Sequence, residues 1–590
     1  MKPFKKGGSR PRADRNGKGR DRAAGGLSSL RLMHDVSNEL LQGLNAEQAA
    51  AATAPPGPVL VLAGAGSGKT RVLVTRIVHL LASASAGAEN VVALTFSNRA
   101  AREMEDRLKA YAGRSGDGVS ISTFHSLGLR LVREHSEALG LEKEPGILDM
   151  HSRLSLIVGQ AAKNGARNKK FDPMDLANLL SQLKEKGATP ENCPDDTEYG
   201  SRLARIYKGY EKAKRDANLL DFEDLIRLPI RLLHTRPEIR SRIREIWRHF
   251  LVDEFQDTNG GQLEMLRLLV GENGSVFVVG DDDQSIYGWR GAEMRNLLDF
   301  ETHFPGAILI KLQENYRSSG NIISASNAVI HRNTLRRPKE VFTSRGEGEP
   351  LCHHVAEDEK GEMDWLVGKV KEINSLEGLD WRQMAVLVRT NIQLREFMDQ
   401  FIVTGIPFAV KGANNLLEFS DVQIVLAYAK LLVNPNDEMS LAKAMQFPKR
   451  GIPKDLLDTV PRGEDKPILA CLREHCAASG HIWTGPLIEL IDKVEACALV
   501  ARAGSVSAPL RELLAFAAVV ESFEEGGRKR ERVEEFLRLF QKEETRNPKA
   551  RLAEVLNALA LSTQSDDNAD EKPGLRLMTV HAAKGLEFHT

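Results

Sequence analysis

Three groups of residues could do chemistry together. Ala63-Gly64-Ala65-Gly66-Ser67-Gly68-Lys69-Thr70 lies between an apolar run, Val59–Leu62, and a helical pattern over Arg71–Leu81. A Gly-rich turn that enters a helix aims backbone N–H groups and a helix N-terminus at phosphate oxygens. Lys69 would then reach the β- and γ-phosphates, and the Thr70 hydroxyl would bind Mg²⁺. The general pattern begins with Gly where this chain has Ala63, so the strand–loop–helix setting carries the reading. Asp253 and Glu254 end a second apolar run, Phe250–Val252. The first carboxylate can hold Mg²⁺ through water, and the second can orient or deprotonate an attacking water. Gly280–Arg290 sets Gln284 beside Tyr287 and Trp289. A phosphate cradle, an acidic pair and a Gln next to aromatics are what an ATP-driven nucleic-acid motor requires.

These groups need elements to position them. Short β-branched runs at Val59–Leu62, Val91–Phe96, Val119–Thr123, Phe250–Val252 and Val276–Val279 read as buried parallel strands, each leading into a polar or Gly-rich turn. Ligands bind at the carboxyl ends of such strands. Ile308–Leu312, Met384–Val388 and Leu575–Val580 suggest a second sheet. Each region is interrupted by a mostly helical stretch. In the first, Asp172-Pro173 supplies an N-cap and a first-turn Pro ahead of a stripe of Leu176, Leu179, Leu180 and Leu183. In the second, Val533, Phe536, Leu537 and Phe540 are followed by Leu552, Val555, Leu556 and Leu559. Both stripes read as helix cores. Gln564–Gly574 reads as the loop returning to the second sheet.

Length and composition allow roughly three to five domains, each with its own core. With 81 basic and 81 acidic residues the net charge is zero, so a nucleic-acid surface must come from local patches. One patch is the N-terminus: residues 1–26 hold nine Lys/Arg against two Asp. That segment cannot bury a core and is expected to be disordered, as a phosphate tether or a solubilising tail. Five cysteines (193, 352, 471, 476, 497) form neither a CxxC pair nor a zinc set and read as reduced, cytosolic thiols. Cys352-His353-His354 reads as a surface strand rather than a metal site. No apolar run approaches the ~20 residues that span a membrane, and no secretory signal is visible.

The ordered motifs resemble those of superfamily 1 DNA helicases of the UvrD/Rep/PcrA type. Leu44-Asn45-Ala46-Glu47-Gln48 resembles the adenine-reading segment, and Ala63–Thr70 the phosphate loop, with Ala at its first position. Thr95–Ala101 and Thr123–Ser126 resemble DNA-contacting turns. Asp253–Asp257, Gly280–Arg290, Glu314–Ser319 and Thr579–Phe588 follow in family order, so the resemblance covers about residues 38–590. The wording of Gly280–Tyr287, Asn315–Gly320 and Asn434–Asp437 leans toward the Rep branch. The resemblance implies an α/β fold of two RecA-like parallel-sheet domains, each with a helical insertion. Residues 1–37 would be the basic tail; 38–121 and 221–305 the first sheet domain, interrupted by 122–220; 306–415 and 567–590 the second, interrupted by 416–566.

The family pattern also implies roles. Gln48 would bond the adenine edge, Tyr316 would stack on its face and Glu587 would bind the ribose; Arg71 follows the phosphate loop in the same site. Thr70 and Asp253 would hold Mg²⁺, with Glu254 acting on the water. Gln284 would contact the γ-phosphate. Arg317, from the second sheet domain, would act as an arginine finger across the cleft, a device typically worth ~10³–10⁵ in rate. Phe96, Tyr287 and Trp289 would offer stacking faces, while Asn98, His125, Arg290 and His581 would place the DNA backbone. Stacking of about 1–3 kcal/mol per base tolerates any sequence, which suits a translocating motor. Trp289 could instead be a core aromatic; its setting on a loop after a strand favours binding.

The implied protein is an ATP- and Mg²⁺-dependent helicase or translocase on single-stranded DNA and DNA junctions. It would move 3′→5′, act in replication or repair, sit in the cytoplasm and touch no membrane; self-association stays open. Family members continue past Gly585–Phe588 with further strands and a Thr-Arg motif, so the second sheet domain is expected to be incomplete. One alternative is therefore an ATP-controlled single-strand-binding protein with weak hydrolysis; another is an RNA-directed motor.

Overall fold

The computed structural model describes residues 33–590 apart from 84, 143, 165–171, 194–196, 273, 377, 412–416, 418, 463–465, 505, 526, 547–550 and 562–572. The basic tail to residue 32 and most of the return loop Gln564–Gly574 lie outside the described residues. The chain divides into two compact units, residues 1–124 with 233–352 and residues 125–232 with 353–590. In chain order the strands are β1 (Pro58–Ala63), β2 (Val91–Thr95), β3 (Ser120–Thr123), the short β4 (Gly146–Ile147) and β5 (Leu219–Leu220), β6 (His249–Val252), β7 (Ser275–Gly280), β8 (Ile308–Leu312), β9 (Ala385–Val388), β10 (Phe408–Lys411) and β11 (Leu575–Thr579).

The first unit is built on a six-stranded sheet of order β3-β2-β6-β7-β1-β8. Every pairing is parallel. All carboxyl ends therefore open on one edge. Strands β1, β2, β6 and β7 are buried almost throughout, as a sheet covered on both faces requires. The helix Lys69–Ala82 covers one face, burying Val72, Leu73, Val74, Ile77 and Val78 against Val59, Val61, Phe277 and Val279. Each such side chain, fully buried, stabilises by roughly 1.5–3 kcal/mol before entropy is counted.

β8 corrects one expectation. Ile308–Leu312 does not belong to the second sheet; it pairs with β1, Val59 opposite Ile308 through Ala63 opposite Leu312. A short apolar run such as Ile308–Leu312 announces a strand but not its neighbour, because a parallel partner is remote in sequence. The consequence is functional. Glu314–Ser319 leaves the sheet beside the phosphate loop.

The second unit holds a three-stranded parallel sheet, β10-β11-β9. Its core includes Val386, Val388, Phe397, Phe401, Leu575 and Leu577. Helices dominate the rest. Pro173–Glu185 starts as expected, with the Asp172 carboxylate accepting the N–H groups of Met174 and Asp175. Leu176 and Leu180 are buried with Ile157, Tyr207 and Tyr210, and Leu179 and Leu183 pack at the edge. Val533, Phe536, Phe540, Leu552, Val555 and Leu556 join a core centred on the helix Ser420–Val433. Cys352–His354 forms no strand; the His354 ring stacks on Trp365 at 4.5 Å. Among the described residues, no helix is long and apolar enough to cross a membrane.

Candidate nucleotide and DNA site

The phosphate loop is shaped by what presses on it. Gly66 adopts φ +64°, and a Cβ there would lie 2.7 Å from Asn315 Nδ2 and 2.8 Å from Arg317 Cβ. Gly68 adopts φ +81°, with Gln48 Nε2 2.9 Å from any Cβ. Only Gly satisfies both the left-handed backbone and the close approach. The Ser67 hydroxyl donates to the Gly64 carbonyl at 2.7 Å. Gln48 is buried; its amide nitrogen donates to the Ser67 carbonyl at 2.8 Å, and its oxygen accepts the Asn45 N–H at 3.2 Å. Here Gln48 braces the loop.

The acidic pair leaves β6 next to it. Asp253 is buried, its N–H bonded to the Leu94 carbonyl at 2.8 Å. Glu254 sits in the left-handed region at φ +50°, a strain of order 1–3 kcal/mol for a residue with a Cβ. The turn aims its carboxylate at Lys69, 3.5 Å away. Gln256, fully buried, donates to Glu254 Oε2 at 2.5 Å and accepts the Asp281 N–H at 3.0 Å. It joins the two acidic loops. Burial opposes the charge on Lys69, but the carboxylates of Glu254, Asp281 and Asp253 outweigh it and raise the pKa above the ordinary lysine value. Thr70 and Asp253 offer a hydroxyl and a carboxylate, hard oxygen donors of the kind Mg²⁺ prefers.

The loop after β7 carries the remaining first-unit residues. Gln284 donates to Asp281 Oδ2 at 2.5 Å. Three residues on, Tyr287 is buried and stacks on Phe96, centroids 4.8 Å apart and planes 13° from parallel. Trp289 is 66% exposed, so it is no core aromatic. The Arg290 side chain lies outside the described residues. Asn98 opens the helix Asn98–Ala112, whose N-cap Ser97 accepts the Ala100 N–H at 3.2 Å.

Arg317 lies elsewhere than expected. Because β8 joins β1, Glu314–Ser319 belongs to the unit that holds the phosphate loop, so Arg317 approaches that loop from its own unit and not across a cleft. Asn315, which the motif reading gave no role, fastens the segment: its Nδ2 donates to the Ala65 carbonyl at 2.6 Å, and its Oδ1 accepts the N–H groups of Arg317 and Ser318 at 2.8 and 2.7 Å. The Tyr316 N–H donates to the Gly66 carbonyl at 3.0 Å. The exposed Tyr316 hydroxyl accepts from Asn45 Nδ2 at 2.8 Å and donates to Glu314 at 2.6 Å.

Comparison with known proteins identifies the family of the chain. A family model described as the UvrD/REP helicase N-terminal domain matches residues 44–305, and one described as the UvrD-like helicase C-terminal domain matches residues 310–590. The ATP-dependent DNA helicase PcrA of Bacillus subtilis (strain 168) is 32% identical over 589 residues, spanning 94% of this chain and 78% of the relative. The protein of that name from Staphylococcus aureus (strain Mu50) is 33% identical over 575 residues, with 93% and 77% covered. The chain belongs to the UvrD/Rep helicase family.

Three of this UvrD-type helicase's expected site residues belong to the second unit. His125 is partly buried, its ring edge-on to Phe222 at 5.8 Å. Burial pushes its pKa down to about 4, so at neutral pH it offers a neutral ring and no positive charge. His581 lies in the turn after β11, where the Thr579 hydroxyl accepts the Ala582 N–H at 3.3 Å. Glu587 is exposed a few residues later.

Proposed function

We propose that this chain is an ATP-dependent DNA helicase that translocates 3′→5′ along single-stranded DNA, in replication or repair. The observation that carries the reading is one loop. Between Asp281 and Trp289 it holds Gln284 on the carboxylate of Asp281, whose N–H is tied through Gln256 to Glu254 beside Lys69, then the Tyr287 ring on Phe96, then an exposed indole. A change at the nucleotide end has only a few residues to travel before it reaches aromatic surface.

Lys69 would hold the β- and γ-phosphates and Glu254 would take the water's proton. Gln284 and Arg317 would meet the γ-phosphate, and Tyr316 would cover the adenine. Gln48 and Glu587 are the proposed adenine-edge and ribose contacts. Thr70 and Asp253 would hold Mg²⁺, which neutralises phosphate charge when bound. Arg71 completes the loop's entry into its helix. Phe96, Tyr287 and Trp289 would stack bases, and Asn98, His125, Arg290 and His581 would contact the DNA backbone. DNA junctions, self-association and a cytoplasmic setting belong to the same reading.

The test is strand displacement and ATP hydrolysis by the 590-residue protein on duplexes with a 3′ or a 5′ single-stranded tail. DNA-stimulated turnover, abolished in Lys69→Ala, with displacement from the 3′ tail only, is the expected result. Displacement from the 5′ tail alone would overturn the polarity. Turnover indifferent to DNA would overturn the motor.

A further inference from the structure

Asp281, Asp282 and Asp283 place carboxylate oxygens within 4.8 Å of one another. Three adjacent negative charges at such spacing, two of them on buried residues, repel strongly unless a cation sits among them. That cation is Lys339, which no family motif of the sequence includes. Its side chain is buried, and Nζ lies 2.9 Å from Asp281 Oδ1, 2.6 Å from Asp282 Oδ1 and 2.6 Å from Asp283 Oδ2. Burial alone would discourage the charge on Lys339; the three carboxylates outweigh it and hold the pKa above the ordinary lysine value. Arg336 adds a two-pronged pair to Asp283 at 2.9 and 2.7 Å, and the Arg337 N–H donates to Asp282 at 2.7 Å.

The same short strap reaches the nucleotide end. Val341 is the side chain that a Cβ on Gly64 would strike, at 2.8 Å. The Phe342 carbonyl accepts the Asn315 N–H at 2.7 Å, in the segment that fastens Tyr316 and Arg317 to the loop. Residues 336–342 thus touch the phosphate loop, the Asn315 motif and the acidic triad, all within the first unit. Asp281 is the junction: Lys339 bonds one of its oxygens, and Gln284 bonds the other.

We propose that Lys339 is a positioning residue that holds Asp281, and through it the Gln284 amide, so that the strap sets how far DNA binding accelerates ATP hydrolysis. The inference rests on the reading of Gln284 as the γ-phosphate contact. Without the ammonium, the triad spreads and Gln284 loses its anchored acceptor, while the contacts of Lys69 remain.

The test is a double-mutant cycle on the full chain: wild type, Gln284→Ala, Lys339→Gln and the double variant, each measured for kcat and KM of ATP with saturating single-stranded DNA. Expected are a loss of roughly 10²-fold in stimulated kcat for Gln284→Ala, and of at least about 10-fold for Lys339→Gln with KM within about threefold. The double variant should match Gln284→Ala within about threefold, because two residues acting through one contact are not additive. Losses that multiply in the double variant, or a Lys339→Gln protein of lower thermal stability but full stimulated kcat, would overturn the role. An unchanged kcat in Gln284→Ala alone overturns the underlying reading instead, and the two failures are thereby distinguished. Arg336→Gln, at a less buried site, gives a second handle should Lys339→Gln not fold. It should lower stimulated kcat in the same direction, and no change would count against the strap.

Discussion

Lys69 Nζ and Glu254 Oε2 lie 3.5 Å apart, the lysine of the phosphate loop facing the carboxylate after β6. The pair makes two variants separable. Lys69→Ala should lose nucleotide binding and turnover together, by roughly 10²–10³-fold or more. Glu254→Gln should keep nucleotide affinity and lose about 10²–10⁴-fold in kcat, the usual share of a positioned base. Fluorescent nucleotide titration beside steady-state hydrolysis reads both. A Glu254→Gln enzyme with normal kcat would remove Glu254 from the chemistry.

Trp289 is largely exposed on its turn. Trp289→Ala should weaken single-stranded DNA by about 1–3 kcal/mol, roughly 5- to 150-fold, without lowering the melting temperature. The slope of affinity against salt should stay constant, since stacking releases no phosphate counterions. Phe96→Ala differs, because Phe96 packs on the buried Tyr287; it should lose both affinity and stability. Anisotropy titrations at three salt concentrations, with thermal melts, check the contrast.

His125 supplies a pH dependence of known sign. Its pKa falls from the ordinary 6.5 to about 4 on folding. Between those values the unfolded chain holds the extra proton, so stability rises with pH across about 4 to 6.5 and levels off above. His125→Asn should shrink the difference in urea stability between pH 5 and pH 7. An identical difference in the two proteins would show that His125 takes no part in it.

The helical stretch within residues 125–232 of the second unit hides a second ionic cluster. Lys184 and Lys214, both buried, share Asp221 at 2.6 and 2.9 Å and Asp224 at 2.7 and 2.5 Å. Burial opposes the charge on Asp221, yet Lys184, Lys214 and Arg153 hold its pKa well below the ordinary carboxylate value. Its stabilisation is therefore present above the unfolded pKa and disappears as pH falls through the lower folded one. Asp221→Asn removes one of the three carboxylates that face two buried ammonium groups, leaving Asp224 and Glu211, and should cost up to about 3–5 kcal/mol. Limited proteolysis should then cut first within residues 125–232; cleavage starting in the first unit would contradict this.

The sequence by itself determined the pieces of the site that are contiguous: the loop Ala63–Thr70, the Asp253-Glu254 turn and the run from Gln284 to Trp289. Each is a strand end followed by a turn whose residue types state their own backbone and chemical needs, so local reading suffices. It also determined the helix start at Asp172-Pro173 and the apolar stripes of both insertions, because capping and periodicity are local. Tertiary structure alone decided which strands are neighbours. β8 could have paired with any parallel strand, and its place beside β1 moves Arg317 and Tyr316 onto the phosphate loop of their own unit. Tertiary structure also decided the partners of Gln48 and Gln256 and the cation for Asp281–Asp283. Lys339 lies more than fifty residues from the carboxylates it joins, and no local pattern records where a buried charge will find its counter-charge.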